Sequence, residues 1–185
     1  MLQDIKEILI SEEAINAKVK ELAARISEDY KGKDLLVVGV LKGSVIFAAE
    51  IIKNITIPCE IDFMAVSSYG ASSETTGVVR ILKDLDHEVS GKDIIIVEDI
   101  VDSGVTLDYL LNYLKGRKAN SVEIVSLLTK PSRRKVDIEC KYIGFETPDE
   151  FLVGYGLDFA EKYRILPFVG VLKREVYEKL LKFIF

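Results

Sequence analysis

The stretch Asp93-Ile94-Ile95-Ile96-Val97-Glu98-Asp99-Ile100-Val101-Asp102-Ser103-Gly104-Val105-Thr106-Leu107 carries the punctuation of an α/β fold. The uncharged run Ile94 to Val97 is β-branched throughout, which suits a strand buried on both faces of a parallel sheet. Two adjacent carboxylates, Glu98 and Asp99, end it; a short Asp/Ser/Gly turn follows, and helical spacing resumes at Leu107. Open α/β sheets bind ligands at the carboxyl ends of their strands, where two acceptor-only groups suit the vicinal hydroxyls of a ribose. The turn from Asp102 to Thr106 leads into a helix whose first amides have no intrahelical partner. Gly104 permits close backbone approach, and the hydroxyls of Ser103 and Thr106 add donors for a phosphate monoester.

Working outward, Ser11 followed by Glu12 and Glu13 reads as a helix start, with Ile15, Val19, Leu22 and Ile26 as its apolar stripe. The pattern then predicts a strand over 34–41, a helix over 44–53, a strand over 57–67 and a strand near 78–83. Strand 93–98, helix 105–115, strand 121–129, strand 141–145 and a closing helix over 174–182 complete it. Alternating strands and helices with continuous apolar strands imply an α/β fold with a mostly parallel sheet covered on both faces. The Ser/Thr/Gly-rich interruption over 70–77 reads as a lid between two strands.

At 185 residues, 49% hydrophobic and 30% charged, the chain can bury a full core as one domain. A net charge of −5 argues against a broad nucleic-acid or anionic-membrane surface, so cationic groups must be concentrated at a pocket. No apolar run reaches the length of about 18 residues that spans a bilayer, and the acidic stretch Met1 to Glu13 is unlike a signal peptide. A cytoplasmic protein is expected. Cys59 and Cys140 make no disulfide framework and read as buried thiols. With His87 the only histidine, a multi-histidine zinc site is excluded, and we assign His87 no catalytic role. Gly154-Tyr155-Gly156 lacks the third glycine of a dinucleotide fingerprint and no P-loop motif occurs, so both those readings fail.

The segment Val97 to Leu107 (VEDIVDSGVTL) resembles the phosphoribosyl-pyrophosphate signature of type I phosphoribosyltransferases, in the Glu-Asp form of the hypoxanthine-guanine members. Leu41-Lys42-Gly43, Ser67-Ser68-Tyr69-Gly70, Lys130-Pro131, Phe151-Leu152-Val153-Gly154-Tyr155 with Asp158, and Arg164 follow in that family's order. The resemblance therefore covers nearly the whole chain. Ser103 stands where many relatives carry threonine, which keeps a hydroxyl.

The resemblance implies one domain over 1–185, with a core at about 34–146 and a small hood built from the chain ends. It implies Mg²⁺-dependent transfer of ribose 5-phosphate from phosphoribosyl pyrophosphate to a 6-oxopurine base, giving IMP or GMP and pyrophosphate. Glu98, Asp99, Asp102, Ser103, Gly104, Val105 and Thr106 would hold ribose and phosphate; Leu41, Lys42, Gly43 and Arg164 would hold pyrophosphate. Lys130, Phe151, Leu152 and Asp158 would form the purine site, Ser68 and Tyr69 the lid, and Glu98, Asp99 and Asp158 the metal site. Asp102 is the candidate to accept or share the proton on N7 of the base. Relatives form dimers or tetramers, so a homodimer or homotetramer is expected.

Each residue also has a plainer reading. Acid pairs at strand ends are commonly just solvated, Lys42 suits a surface turn, Phe151 a strand core, Asp158 the N-cap of 159–163, and Arg164 a surface charge. Lys130 could equally be a solvent-directed lysine at a strand end. Its functional reading rests on chemistry: an ammonium only donates, hypoxanthine and guanine offer an acceptor oxygen at position 6, and adenine offers an amine there. The alternative from another functional class is an RNA-binding regulator of a nucleotide operon that shares the same fold and sugar-phosphate motif.

Overall fold

A computed structural model describes residues 1–68 and 79–178 of the chain. In chain order the elements are β1 (Ile5–Ile10), α1 (Glu12–Asp29), β2 (Leu35–Leu41), α2 (Val45–Asn54), β3 (Glu60–Ser68) and β4 (Val79–Lys83). They continue as β5 (Asp93–Val101), α3 (Val105–Gly116), β6 (Ser121–Thr129), β7 (Tyr142–Glu146), β8 (Leu152–Val153) and β9 (Val169–Leu172). Residues 174–178 are helical, and the remainder of the expected closing helix lies outside the described residues.

Local chemistry explains the best-read elements. Ser11 caps α1 by accepting a hydrogen bond from the Ala14 amide at 3.3 Å, and the stripe from Ile15 to Ile26 is essentially inaccessible to solvent. In β2 the residues Leu35 to Val40 are all buried, as are Ile94 to Val97 in β5. Each such side chain contributes about 1.5–3 kcal/mol on burial.

The main sheet has the order β4-β3-β2-β5-β6-β7, parallel except for the antiparallel edge strand β4. From β2 the chain moves outward through β3 to the edge strand β4 and then returns to the other side of β2 as β5, so the strand order reverses between β2 and β5. Pairing between β2 and β5 stops at Gly39 with Val97, whereas β5 stays paired to β6 through Val101 and Thr129. Beyond Val97 one edge of β5 is therefore open, and a cavity forms there.

This corrects the expected end of the central strand. Glu98 and Asp99 do not terminate β5; Ile100 and Val101 continue it on the β6 ladder. A second, three-stranded sheet of order β1-β9-β8 was not read from the sequence. It joins residues from both ends of the chain, with Ile10 opposite Val169 and Leu152 opposite Val171. Ile10, Leu152, Val169 and Val171 pack in the same apolar cluster as α1 and the main sheet.

Candidate active site

Two cavities open at the carboxyl ends of β2, β5 and β6, and they share Ile100 and Asp102. The first, of about 230 Å³, is walled by Leu41, Glu98, Asp102, Ser103, Gly104 and Thr106 among others. The second, of about 460 Å³, is lined by Lys130, Arg133, Asp149, Phe151, Asp158 and Tyr177, together with their neighbours.

The first cavity has a floor made by one turn of chain. Gly104 takes φ +82° as the N-cap of α3, a left-handed conformation that side chains resist. A Cβ there would also lie 3.1 Å from both Ile138 Cδ1 and Val136 Cγ2. The Val105 amide donates to Ser103 Oγ at 3.4 Å; Val105 sits in the turn without lining the cavity, whereas Thr106 lines it. Lys135 N donates to Ser103 O at 2.9 Å, so the segment after β6 braces the turn from outside.

The two neighbouring carboxyl groups lie close together but pack differently. Glu98 lines the cavity, and burial, followed by the charge of Asp99, pushes its carboxyl well above the ordinary range. Asp99 accepts from the Ile100 amide at 2.7 Å and lies beneath Gly43, where an added Cβ would overlap its carboxylate. Asp99 is not among the residues that wall the first cavity, and its carboxylate packs beneath the Leu41–Gly43 turn. The Leu41–Lys42 peptide in that turn is cis.

Mutually repelling carboxylates fit a divalent cation, and Mg²⁺ is commonly held by one or two of them together with substrate phosphates. Among the described residues no three His, Cys, Asp or Glu side chains converge into a complete cage. Asp158 does not join the acid pair: its Oδ1 meets Arg164 Nη2 at 2.9 Å and its Oδ2 accepts from the Glu161 amide at 2.8 Å. Residues 159–163 form turns rather than the short helix that an N-cap at Asp158 would imply, with positive φ at Ala160, Glu161 and Tyr163.

Lys42 and Arg164, far apart in sequence, are brought together around Glu161. Lys42 Nζ lies 3.1 Å from Glu161 Oε2, and Arg164 Nη2 lies 3.4 Å from Glu161 Oε1. Arg164 Nη1 also donates to Gly156 O at 2.7 Å. Gly156, at φ +98°, packs so closely on Gly43 that a Cβ would overlap the Gly43 carbonyl, which joins the Lys42 turn to the Arg164 loop.

In the second cavity Lys130 is 7% exposed, so it is not the solvent-directed lysine of the plainer reading. Its Nζ donates to Glu150 O at 2.7 Å, and burial lowers its pKa. Phe151 is 37% exposed, lies nearly parallel to Tyr177 at 5.1 Å between ring centroids, and meets Phe159 edge-on at 5.4 Å. Leu152 is buried in β8. Ser68 pairs with Val79 at the end of β3, while Tyr69 and the expected lid lie outside the described residues.

Arg133, Asp149, Glu161 and Tyr177 were not read from the sequence. Only Arg133 had a local signal, lying three residues after Lys130 beyond a proline. His87 is accounted for structurally, with Nδ1 2.9 Å from Asp62 Oδ2. Cys59 and Cys140 are unpaired and half-buried rather than fully buried, and burial pushes the Cys140 thiol to about 11.

Residues 6–160 match the family model described as the phosphoribosyl transferase domain. The hypoxanthine-guanine phosphoribosyltransferase of Bacillus subtilis is 56% identical over 178 residues, covering 96% of this chain and 99% of that one. The Staphylococcus epidermidis protein of the same name is 54% identical over 97% of this chain and 100% of its own. A crystal structure of a hypoxanthine phosphoribosyltransferase from Staphylococcus aureus superposes with a TM-score of 0.93 at 53% identity, covering 96% of both chains. Similarity of that depth, running from the strand before α1 through the loops that shape both cavities, means that this chain belongs to the hypoxanthine-guanine phosphoribosyltransferase family.

Proposed function

We propose that the protein carries out purine salvage, transferring ribose 5-phosphate from phosphoribosyl pyrophosphate to hypoxanthine or guanine and releasing IMP or GMP with pyrophosphate. The observation that carries this reading is the junction of the two cavities at Ile100 and Asp102. A sugar-phosphate held by the turn Asp102–Thr106 would present its anomeric carbon to a base held in the neighbouring cavity. Donor and acceptor are then already positioned, which is the main requirement for a group transfer without a covalent enzyme intermediate.

In the reaction the bond from the anomeric carbon to the pyrophosphate oxygen breaks, with the electron pair leaving on pyrophosphate. A new bond forms to N9 of the base, and the proton on N7 passes to or is shared with the Asp102 carboxylate. Positive charge develops on the ribose and negative charge on the leaving group, so catalysis is electrostatic. Lys42 and Arg164 hold pyrophosphate with the backbone at Leu41 and Gly43, exchanging Glu161 for the stronger anion. Glu98 and Asp99 would hold Mg²⁺, which when bound neutralises charge on the pyrophosphate.

Lys130 donates to the 6-oxygen of the purine and faces the 6-amine of adenine donor to donor. A site that leaves such donors opposed rejects the wrong base by a factor of about 10⁴ or more. Phe151 supplies a stacking face, and Leu152 and Asp158 border the edge of the base. The three-stranded sheet of the chain ends is the hood that carries Leu152. A cytoplasmic location accords with two unpaired thiols. A homodimer or homotetramer accords with exposed large apolar side chains such as Leu82 at 61% and Ile165 at 76%, and light scattering measures the assembly directly.

The RNA-binding reading of the fold is set aside, since the relatives described above carry transferase names. Incubation with phosphoribosyl pyrophosphate, Mg²⁺ and each base in turn tests the proposal. Nucleotide should form with hypoxanthine and guanine and not with adenine. Salt-sensitive RNA binding without base-dependent release of pyrophosphate would overturn it.

A further inference from the structure

We propose that Arg133 is a positioning residue for Asp102, holding that carboxylate at the junction of the two cavities. The inference rests on the reading of Asp102 as the acceptor of the N7 proton. Arg133 sits in a short 3₁₀ turn, Pro131–Arg133, that follows directly on Lys130, and its amide donates back to Lys130 O at 3.1 Å. With three residues per turn, side chains at i and i+3 lie on the same side, so Lys130 and Arg133 both enter the second cavity.

Arg133 Nε lies 2.9 Å from Asp102 Oδ1, and its Nη1 donates to Asp149 Oδ1 at 3.2 Å. Lys130 Nζ is 3.8 Å from the same Asp149 oxygen. One wall of the cavity is therefore a run of alternating charge from Asp102 through Arg133 and Asp149 to Lys130. Within it Asp102 Oδ1 is itself shielded from solvent and has no well-aligned hydrogen bond. The guanidinium is close enough to fix where this oxygen points, yet its N–H is not aimed at the oxygen as a hydrogen bond requires. An acceptor held in place but still free to accept is what proton transfer from a base requires.

The planar fork of arginine explains why one side chain spans both carboxylates; lysine in its place would reach only one. The Arg133 side chain is 51% exposed, so truncation should leave the fold intact.

The test is a double-mutant cycle with hypoxanthine, comparing the native protein, Arg133→Ala, Asp102→Asn and the pair together. Arg133→Ala should lower kcat about tenfold to a hundredfold through misplacement of Asp102, with the KM for phosphoribosyl pyrophosphate and the melting temperature unchanged. The double variant should be no slower than Asp102→Asn alone, because both changes act on one proton transfer. Arg133→Lys should recover part of the loss. If Asp102→Asn is crippled while Arg133→Ala keeps native turnover, or if the two losses multiply, the role of Arg133 is overturned and that of Asp102 stands. If Asp102→Asn itself turns over normally, both readings fall together.

Discussion

The sugar-phosphate cavity and the base cavity share Ile100 and Asp102 but are assembled in opposite ways. The first is mostly one piece of chain: Glu98 to Leu107 supply most of its wall, with Val40, Leu41 and Val66 from neighbouring strands. The second draws on Lys130 and Arg133 after β6, on 149–152 leading into β8, on Leu157 and Asp158, and on Tyr177 in the last described helix. A cavity built from consecutive residues inherits its geometry from a turn and a helix start. One built from five separate segments, the shared Ile100 and Asp102 included, depends on the packing of the small sheet against the large one. Local substitutions in the first should therefore act on sugar-phosphate binding alone, whereas the second should set base choice.

The largest expected effect lies where the two meet. Asp102→Asn keeps the shape of the side chain and removes the acceptor, and general acid-base help of this kind is worth about 10² to 10⁴ in rate. kcat should fall on that scale with little change in melting temperature, and an unaltered turnover would remove Asp102 from the chemistry. Next is Lys130→Met, which keeps the stem of a buried side chain and removes its charge. The KM for hypoxanthine should rise by about 10² while that for phosphoribosyl pyrophosphate holds, in line with the cost of losing a charged hydrogen bond. A matching rise for both substrates would abolish the division between the cavities.

A smaller effect is expected outside both cavities, and it calibrates the comparison against stability alone. Burial pushes the Asp62 carboxyl up, but hydrogen bonds from His87 and from the Phe63 and Asp86 amides, with the charge of Lys83, outweigh it and hold the group down at about 2. A carboxyl depressed on folding stabilises the native state above its unfolded pKa of about 3.9, and that stability is lost as pH falls toward the folded value. Asp62→Asn should thus cost about 1–2 kcal/mol at pH 7, and melting curves of variant and native protein should converge between about pH 4 and pH 2. A gap that stays constant down to pH 2 would show that Asp62 acts through shape rather than charge.

The smallest effect tests the local cavity. Gly104→Ala forces a Cβ into a left-handed conformation at a cost of about 1 kcal/mol. For a chain of this size that lowers the melting temperature by roughly 2–4 °C. The KM for phosphoribosyl pyrophosphate should rise and the KM for hypoxanthine should not; a change confined to hypoxanthine would contradict the assignment of the turn.

The legibility of the two cavities in the sequence follows the same division. Ser103, Gly104 and Thr106 were readable because a turn that bares helix amides must be written in neighbouring residues. Lys42 and Lys130 were named through resemblance, but their partners Glu161 for the first and Glu150 and Asp149 for the second were not, since nothing in local spacing couples positions 19 to 119 residues apart. The end of β5 was misread for a related reason. Carboxylates ordinarily close a buried strand, yet here β6 continues to pair with Ile100 and Val101 after β2 has departed.

The amino-acid pattern alone determined an α/β sheet with apolar strands, a capped first helix and a phosphate-sized turn, because hydrophobic periodicity and turn chemistry act over a few residues. Tertiary structure decided the rest: the three-stranded sheet, the seating of Asp99 beneath Gly43, the burial of Lys130 and the placing of Arg133 against Asp102. These depend on contacts between segments distant in sequence, such as Ile10 with Val169 and Asp102 with Arg133, which form only when the chain closes on itself.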